Sequence, residues 1–346
     1  MNYVRHSMTL VFTVLISLAL QLSSADIGFS AAAPSRLVIG YASTTPRLMP
    51  LWVARDQGFF AKYGIESEPV LLRSGATLVT GMASGDIQIG RTAGAAVLSA
   101  VAAGHDIKML ATFSSRNSYD VVVRPNIKRP EDLRGKKLAI NSVGGGTWIG
   151  VMLWLEYFGI DPQRDQILLQ SVGDQGVQDQ ALEAGVVDAV FVDSVYSKLL
   201  KQKGMNILAE SGDLKQPLVS QSTIVPRSFL QQYPDIAEGY LKSEIEGIAF
   251  AVAPKNKPTV IKILMRRLRV DAAAAEEGYL DMLRGVDRKP LGSMEGMRNL
   301  QRLLRPRNPK IGEVKVEDVI DNRIMRKLDE SGFIDRAYAA QGVSIK

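Results

Sequence analysis

The stretch AINSVGGGTWIG (residues 139–150) carries a short apolar strand, KLAI (137–140), through three adjacent glycines into TWIGVMLWLEYFG (147–159), which reads as a helix. Adjacent glycines cost backbone entropy and offer no side chain to pack. Such a run suits a tight turn, or a ligand that must approach bare backbone. A dinucleotide fingerprint counted from Gly144 fails, because its last glycine position holds Ile149. A phosphate-binding loop on Gly145 and Gly150 fails as well, with Val151 and Met152 where lysine and a hydroxyl residue belong. Two readings remain. In one, the strand ends, backbone N–H groups open toward a ligand, and the helix starting at Thr147 favours negative or hydrogen-bond-accepting atoms. In the other, Thr147 is an ordinary N-cap on a glycine-rich turn.

Outward from this turn, short apolar strands alternate with helical runs, the pattern of α/β lobes with mainly parallel sheets. The first half runs from RLVIGYA (36–42) through the helix LWVARDQGFFAKYG (51–64) to IKMLATFS (107–114). The order restarts after DVVVRP (120–125), and the two halves echo each other. KYGI (62–65) and YFGI (157–160) both end a helix at glycine and enter a strand through Ile, as a left-handed cap requires. MASGDIQIG (82–90) and LEAGVVDAV (182–190) form a second pair, a weak internal repeat. From about Pro226 the pattern turns helical. If that tail returns to the first lobe, the chain crosses between lobes near Arg116–Ser118 and near Ser220–Ser222, and two crossings make a hinge. The expected organisation is a first lobe of residues 36–117 plus 222–346 and a second lobe of 118–221.

With 46% hydrophobic, 23% charged and 7% aromatic residues, the composition is that of a globular protein. The absence of cysteine excludes disulfides, thiolate metal sites and cysteine nucleophiles. Arg5, the apolar run TLVFTVLISLALQL and the small residues SSA describe a cleavable secretory signal over residues 1–25, cut after Ala25, with Ala33 a second candidate. No cysteine follows the run, so a lipoprotein anchor is excluded and a soluble periplasmic protein is expected. Removing the leader takes away Arg5 and no acid, lowering the formal charge from +6 to +5. The basic clusters are not interleaved with aromatics, so nucleic acid is not an expected partner.

Small polar turns recur where strands end: STTP (43–46), RSGAT (73–77) and RTAG (91–94) in one half, SVGGGT (142–147), VGDQG (172–176) and Asp193-Ser194 in the other. In open α/β sheets ligands bind beyond the carboxyl ends of the strands, so turns from both lobes face one cleft. At this point IGYASTTPRLMPLWVARDQGFFAKYGI (39–65), EDLRGKKLAINSVGGGTWIGVMLWLEYFGID (131–161), ALEAGVVDAVF (181–191) and VIDNRIMRKLDESGFID (319–335) resemble the solute-binding proteins of nitrate/sulfonate/taurine-type ABC importers. The resemblance covers nearly all of the chain after the leader. It implies a type II periplasmic-binding fold, with a helical C-terminal segment packing on the first lobe. It further implies hinge closure on a small solute, expected to be an anionic or aromatic organic molecule, and delivery to an ABC permease in the membrane, by a monomer without cofactor or metal. Carried over position by position, the implied ligand contacts are Ser43, Thr44, Thr45, Ser74, Gly75, Arg91 and Thr92 in one lobe. In the other they are Ser142, Gly144, Gly145, Thr147, Asp174 and Asp193. Two departures stand out: Gln88 occupies a position where the family pattern has Asp, kept as Asp188 in the second half, and Arg91 is unusual, a partner for a ligand anion or for Asp86 or Asp193.

Catalysis has little to work with. After the leader one histidine remains, His105, in a loop expected opposite the strand ends. Enzymes that make the thiamine pyrimidine share this fold family and are implied to use a cysteine-rich segment and active-site histidines, which this chain lacks. A periplasmic sensor domain is the other alternative. Trp52 and Trp148 read as core, although Trp148, just after the glycines, is also placed to stack on a planar ligand.

Overall fold

The computed structural model describes residues 36–72 and 74–345. The expected leader and both candidate cleavage sites lie outside the described residues.

Among the described residues, ten strands form two five-stranded sheets. The first half comprises β1 (Arg36–Tyr41), α1 (Met49–Asp56), β2 (Glu66–Leu71), α2 (Gly75–Ala83), β3 (Ile89–Thr92), α3 (Gly94–Ala102) and β4 (Ile107–Ser114). The second comprises β5 (Asp120–Val123), β6 (Lys137–Ile140), α4 (Gly146–Tyr157), β7 (Leu168–Ser171), α5 (Gln175–Glu183), β8 (Ala189–Val192), α6 (Ser194–Gln202) and β9 (Asn206–Ala209). After β10 (Gln221–Pro226) the longer tail helices are α7 (Pro234–Val252), α8 (Lys257–Leu268), α9 (Ala272–Gly285), α10 (Met294–Leu304), α11 (Arg323–Glu330) and α12 (Phe333–Ala340). The sheet orders are β2-β1-β3-β10-β4 and β7-β6-β8-β5-β9. In each, three parallel strands are followed by one antiparallel strand supplied across a lobe crossing, β10 in the first and β5 in the second.

The repeat is carried by identical local solutions. Gly64 and Gly159 sit at φ +71° and +68°, and the Ile that follows each donates its N–H five residues back, to Phe60 and Leu155. Only glycine takes this conformation without strain, and the 6→1 bond ends the helix. The Gln88 departure is also resolved. Its Oε1 accepts from the N–H of Val38 at 2.9 Å, as Oδ2 of Asp188 accepts from the N–H of Lys137 at 3.0 Å. An amide oxygen does the work of a carboxylate there.

Two expectations are adjusted. The segment read as one helix over 51–64 is broken at Gly58, φ +74°, with a short second turn over Phe59–Lys62. Gln221, expected in the second lobe, already pairs with Ser114 in the first sheet. The tail packs on the first sheet's helices and also reaches the second lobe. A Cβ added at Gly278 of α9 would lie 2.8 Å from Val195 and 3.2 Å from Pro46, one residue from each lobe. Arg302 of α10 meets Glu156 of α4 through two 3.1 Å contacts. Trp52 and Trp148 are buried in the core, the latter under the Arg307 guanidinium at 5.4 Å.

Candidate functional site

A cavity of about 310 Å3 lies between the lobes, walled by turns from both. Four helices begin on it, at Gly75, Gly94, Gly146 and Gln175. Every helix start leaves backbone N–H groups without intrahelical acceptors. Two of these starts are answered by their own N-caps: Ser74 accepts from the N–H of Thr77 at 3.1 Å, and Asp174 from that of Val177 at 3.3 Å. The N-caps of α3 and α4 are Ala93 and Gly145, which make no side-chain cap. One start without a side-chain cap therefore comes from each lobe, and both line the cavity, although at α3 the Gly94 N–H is already taken by the Val219 carbonyl at 2.9 Å and the Ala96 N–H by that of Ala93 at 3.1 Å.

The glycines now have separate reasons. Gly144 takes φ +76°, the left-handed region. Gly145 has ordinary dihedrals, but a Cβ there would stand 2.4 Å from Oδ1 of Asn141, and one on Gly146 would stand 2.8 Å from the Tyr119 hydroxyl. Thr147 does not cap its helix. Its hydroxyl accepts from the N–H of Asn141 at 2.7 Å and donates to Asn141 Oδ1 at 2.8 Å, which pins the turn.

Of the residues singled out from sequence, Ser43, Thr44, Gly75, Thr92, Ser142, Gly144, Gly145, Thr147 and Asp174 line the cavity. Thr45, Ser74, Arg91 and Asp193 do not. Ser74 spends its hydroxyl on Thr77. Arg91 is fully buried one residue before Thr92, and successive strand residues point to opposite faces. Its guanidinium pairs with Glu244 of α7 and lies 4.1 Å above the Phe113 ring, so neither Asp86 nor Asp193 is its partner. Tyr240 donates to the other Glu244 oxygen at 2.8 Å.

Asp193 is consumed by a junction between the lobes. Its carboxylate pairs with Arg47 at 2.5 Å and accepts from Thr45 at 2.9 Å and from Gln175 at 2.7 Å. Arg47 also donates to Ser118. Burial alone would lower the Arg47 pKa, but Asp193, Tyr119 and Asp281 together drive it upward, so the guanidinium stays charged. Asp281 of α9 is pushed up to about 7, first by burial and then by the Asp193 charge, against the opposing pull of Arg47.

Other cavity residues were not singled out: Arg47, Tyr119, Asn141, Gln175, Gln178 and Gln221. His105 was expected away from the cleft, and it does sit beyond the far end of α3. The cavity runs along that helix and reaches it. Three of the group carry buried polar atoms without a partner among the described residues: Arg47 Nε, Gln178 Oε1 and Gln221 Oε1. Such atoms are rare in native proteins, and each asks for a cause, of which an occupant of the cavity is one.

The family described as NMT1/THI5 like matches residues 45–257. A taurine-binding periplasmic protein of Escherichia coli K12 is 28% identical over 204 residues, 57% of this chain and 61% of that protein. The chain thus matches about three fifths of the length of that curated relative. Among solved structures, an alkanesulfonate-binding protein from Xanthomonas axonopodis pv. citri, bound to MOPS, superposes with a TM-score of 0.70 at 18% identity, covering 84% of this chain and all of that one. A desulfurization enzyme superposes at 0.60 and 16% identity, covering 86% and 99%. The two-lobe periplasmic-binding-protein fold is therefore shared by binders and by a catalyst.

Proposed function

Because the chain belongs to the NMT1/THI5-like family, we propose that it is an extracytoplasmic solute-binding protein that encloses a small organic anion between its lobes and delivers it to an ABC permease. The observation that carries this reading is the pair of uncapped helix starts, α3 from one lobe and α4 from the other, on one cavity. An anion held there meets the positive ends of both helices at once, with the N–H groups of the α4 start offering the hydrogen bonds, since at α3 those of Gly94 and Ala96 are already taken. Each lobe then contributes half of the binding, so closure is favoured by the ligand's higher affinity for the closed form. The hinge lies in the crossings 115–119 and 210–220, with a first lobe of 36–114 plus the chain from Gln221 onward and a second of 120–209.

Binding fits the side chains better than catalysis. His105 stands beyond the last turn of α3, about 15 Å by helical rise from the helix starts. Asp174 is engaged as an N-cap. A thermal-shift screen of the purified protein against sulfonates, nitrate, bicarbonate, aromatic carboxylates and pyrimidines tests the reading. A ligand at 100 times its Kd stabilises a folded protein by about 2.7 kcal/mol. Stabilisation by organic anions supports it; stabilisation by neutral pyrimidines alone overturns it.

A further inference from the structure

Asp281 is not among the residues that line the cavity, yet it stands where the lobes close on each other. It lies one helical turn after Gly278 of α9, the glycine pressed between Pro46 of the first lobe and Val195 of the second, and so on the same face of that helix. The side chain is buried, and its Oδ2 has no partner among the described residues. Its Oδ1 is 3.9 Å from Arg284, an exposed neighbour on α9 itself. The charges that act on it across the boundary are Asp193 and Asp120 of the second lobe, and from its own lobe Arg47. Both second-lobe carboxyls are held in place, Asp193 by Gln175 at 2.7 Å, Asp120 by the Ser197 hydroxyl at 2.5 Å and the N–H of Ser211 at 2.8 Å. Tyr196 of α6 is held above its usual range, first by burial and then by Asp193, and stays neutral. The helix α8 meets α9 through the Lys257–Glu276 pair, in the first half of α9.

Arg47 is therefore shared. Across the boundary it holds Asp193 and Ser118, while Asp281 attracts it from its own lobe. A neutral Asp281 leaves the guanidinium to Asp193. An ionised one repels both second-lobe carboxyls and draws Arg47 back from them. Opening separates Asp281 from Asp193 and Asp120 and lets water reach it, so the closed form is the one that prefers the proton. We infer that Asp281 is a positioning residue for closure: protonated, it leaves Arg47 to latch the lobes together, and ionised, it loosens the latch. Its closed-form pKa of about 7, against the ordinary 3.8, places the change between those values, with closure strongest in acid and weakest above neutrality. A ligand that binds the closed form is then held more tightly in acid, by linkage. This rests on the hinge reading above and on no particular ligand.

The test is energy transfer between dyes in the ligand-free protein. The chain has no cysteine, so one introduced on each lobe carries the pair: Ala83→Cys at the end of α2 and Ala184→Cys just past the end of α5, both exposed. From pH 5 to pH 8 the ratio of closed to open protein is expected to fall at least about tenfold, with the far-UV signal of the fold unchanged. Asp281→Asn keeps the shape and removes the charge, and is expected to stay closed across the range. Asp281→Ser, a second neutral variant, is expected to do the same. Transfer that is flat with pH in the wild type, or the same pH dependence in either neutral variant, would overturn the inference. The thermal-shift screen above, run at one pH, decides the anion reading separately.

Discussion

Replacing Arg47 with Met is the most direct probe of how the lobes are joined. Both ionic partners are buried, with side chains 5% and 0% exposed, so water cannot take over the lost contact. Removing one partner of a buried pair costs about 3–5 kcal/mol, because the other charge is left uncompensated. Here Asp193 keeps its bonds from Thr45 and Gln175, which places the loss near the lower bound, about 3 kcal/mol. In a chain of this size that lowers Tm by roughly 4–5 °C. The effect also has a pH signature. Asp281 has a folded-state pKa of about 7, above its ordinary 3.8, so the folded form holds a proton that the unfolded form releases. Its contribution is fully present below about pH 4 and is lost as pH rises toward 7. Without Arg47 the Asp281 pKa climbs further, and the falling limb extends beyond pH 7. Thermal melts from pH 5 to 9 on Arg47→Met, Asp193→Asn and the double variant measure both effects. The double variant is expected to lose less than the sum of the singles. Additive losses, or an Arg47→Met cost below about 1 kcal/mol, would refute the junction as the element holding the lobes.

Thr147→Val strips both hydroxyl bonds to Asn141, so Tm and ligand affinity should fall together, the former by about 1–3 kcal/mol in stability. An affinity loss with an unchanged melt would restore Thr147 as a direct ligand contact. The paired change Arg91→Leu with Glu244→Met should cost less than either single change and leave ligand affinity within about twofold, since neither residue lines the cavity. A tenfold affinity loss would contradict that placement. Asp179 is pushed up to about 8 by burial, then by Glu183, against Lys203, and its Oδ1 lacks a partner among the described residues. Asp179→Asn should therefore stabilise the protein at pH 8 by about 1–3 kcal/mol and change little at pH 4, checked by denaturant melts at both values.

The strand–helix alternation was legible because hydrophobic periodicity and glycine caps are local signals. Gly64 and Gly159 act in the structure as the sequence implied. The strand β10 was not legible as one. It opens with Gln221, Ser222 and Thr223, three polar residues buried to within 3%, and nothing in their pattern announces an interior position. Arg91 was misleading for a related reason: its neighbour Thr92 does face the cavity, and sequence alone does not say which of two adjacent strand residues does. Arg47 offered a weak signal, a lone charge in an otherwise apolar run, TTPRLMPLWVA (44–54). Ala96 and Ala100 of α3, which line the cavity, offered none, since alanine reads as a generic helix former wherever it occurs.

The strand order also sets a timetable for the growing chain. The second sheet is built from one contiguous segment, Asp120–Ala209, and can close as soon as that segment is out. The first sheet cannot. β3 and β4 share no ladder until β10 inserts between them, more than a hundred residues after β4 ends. Made from the amino end, the lobe begun first is therefore finished last. Until Gln221–Pro226 arrives, two strand edges that end up covered stand bare, and they are where an unfinished chain is most open to pairing with a neighbour.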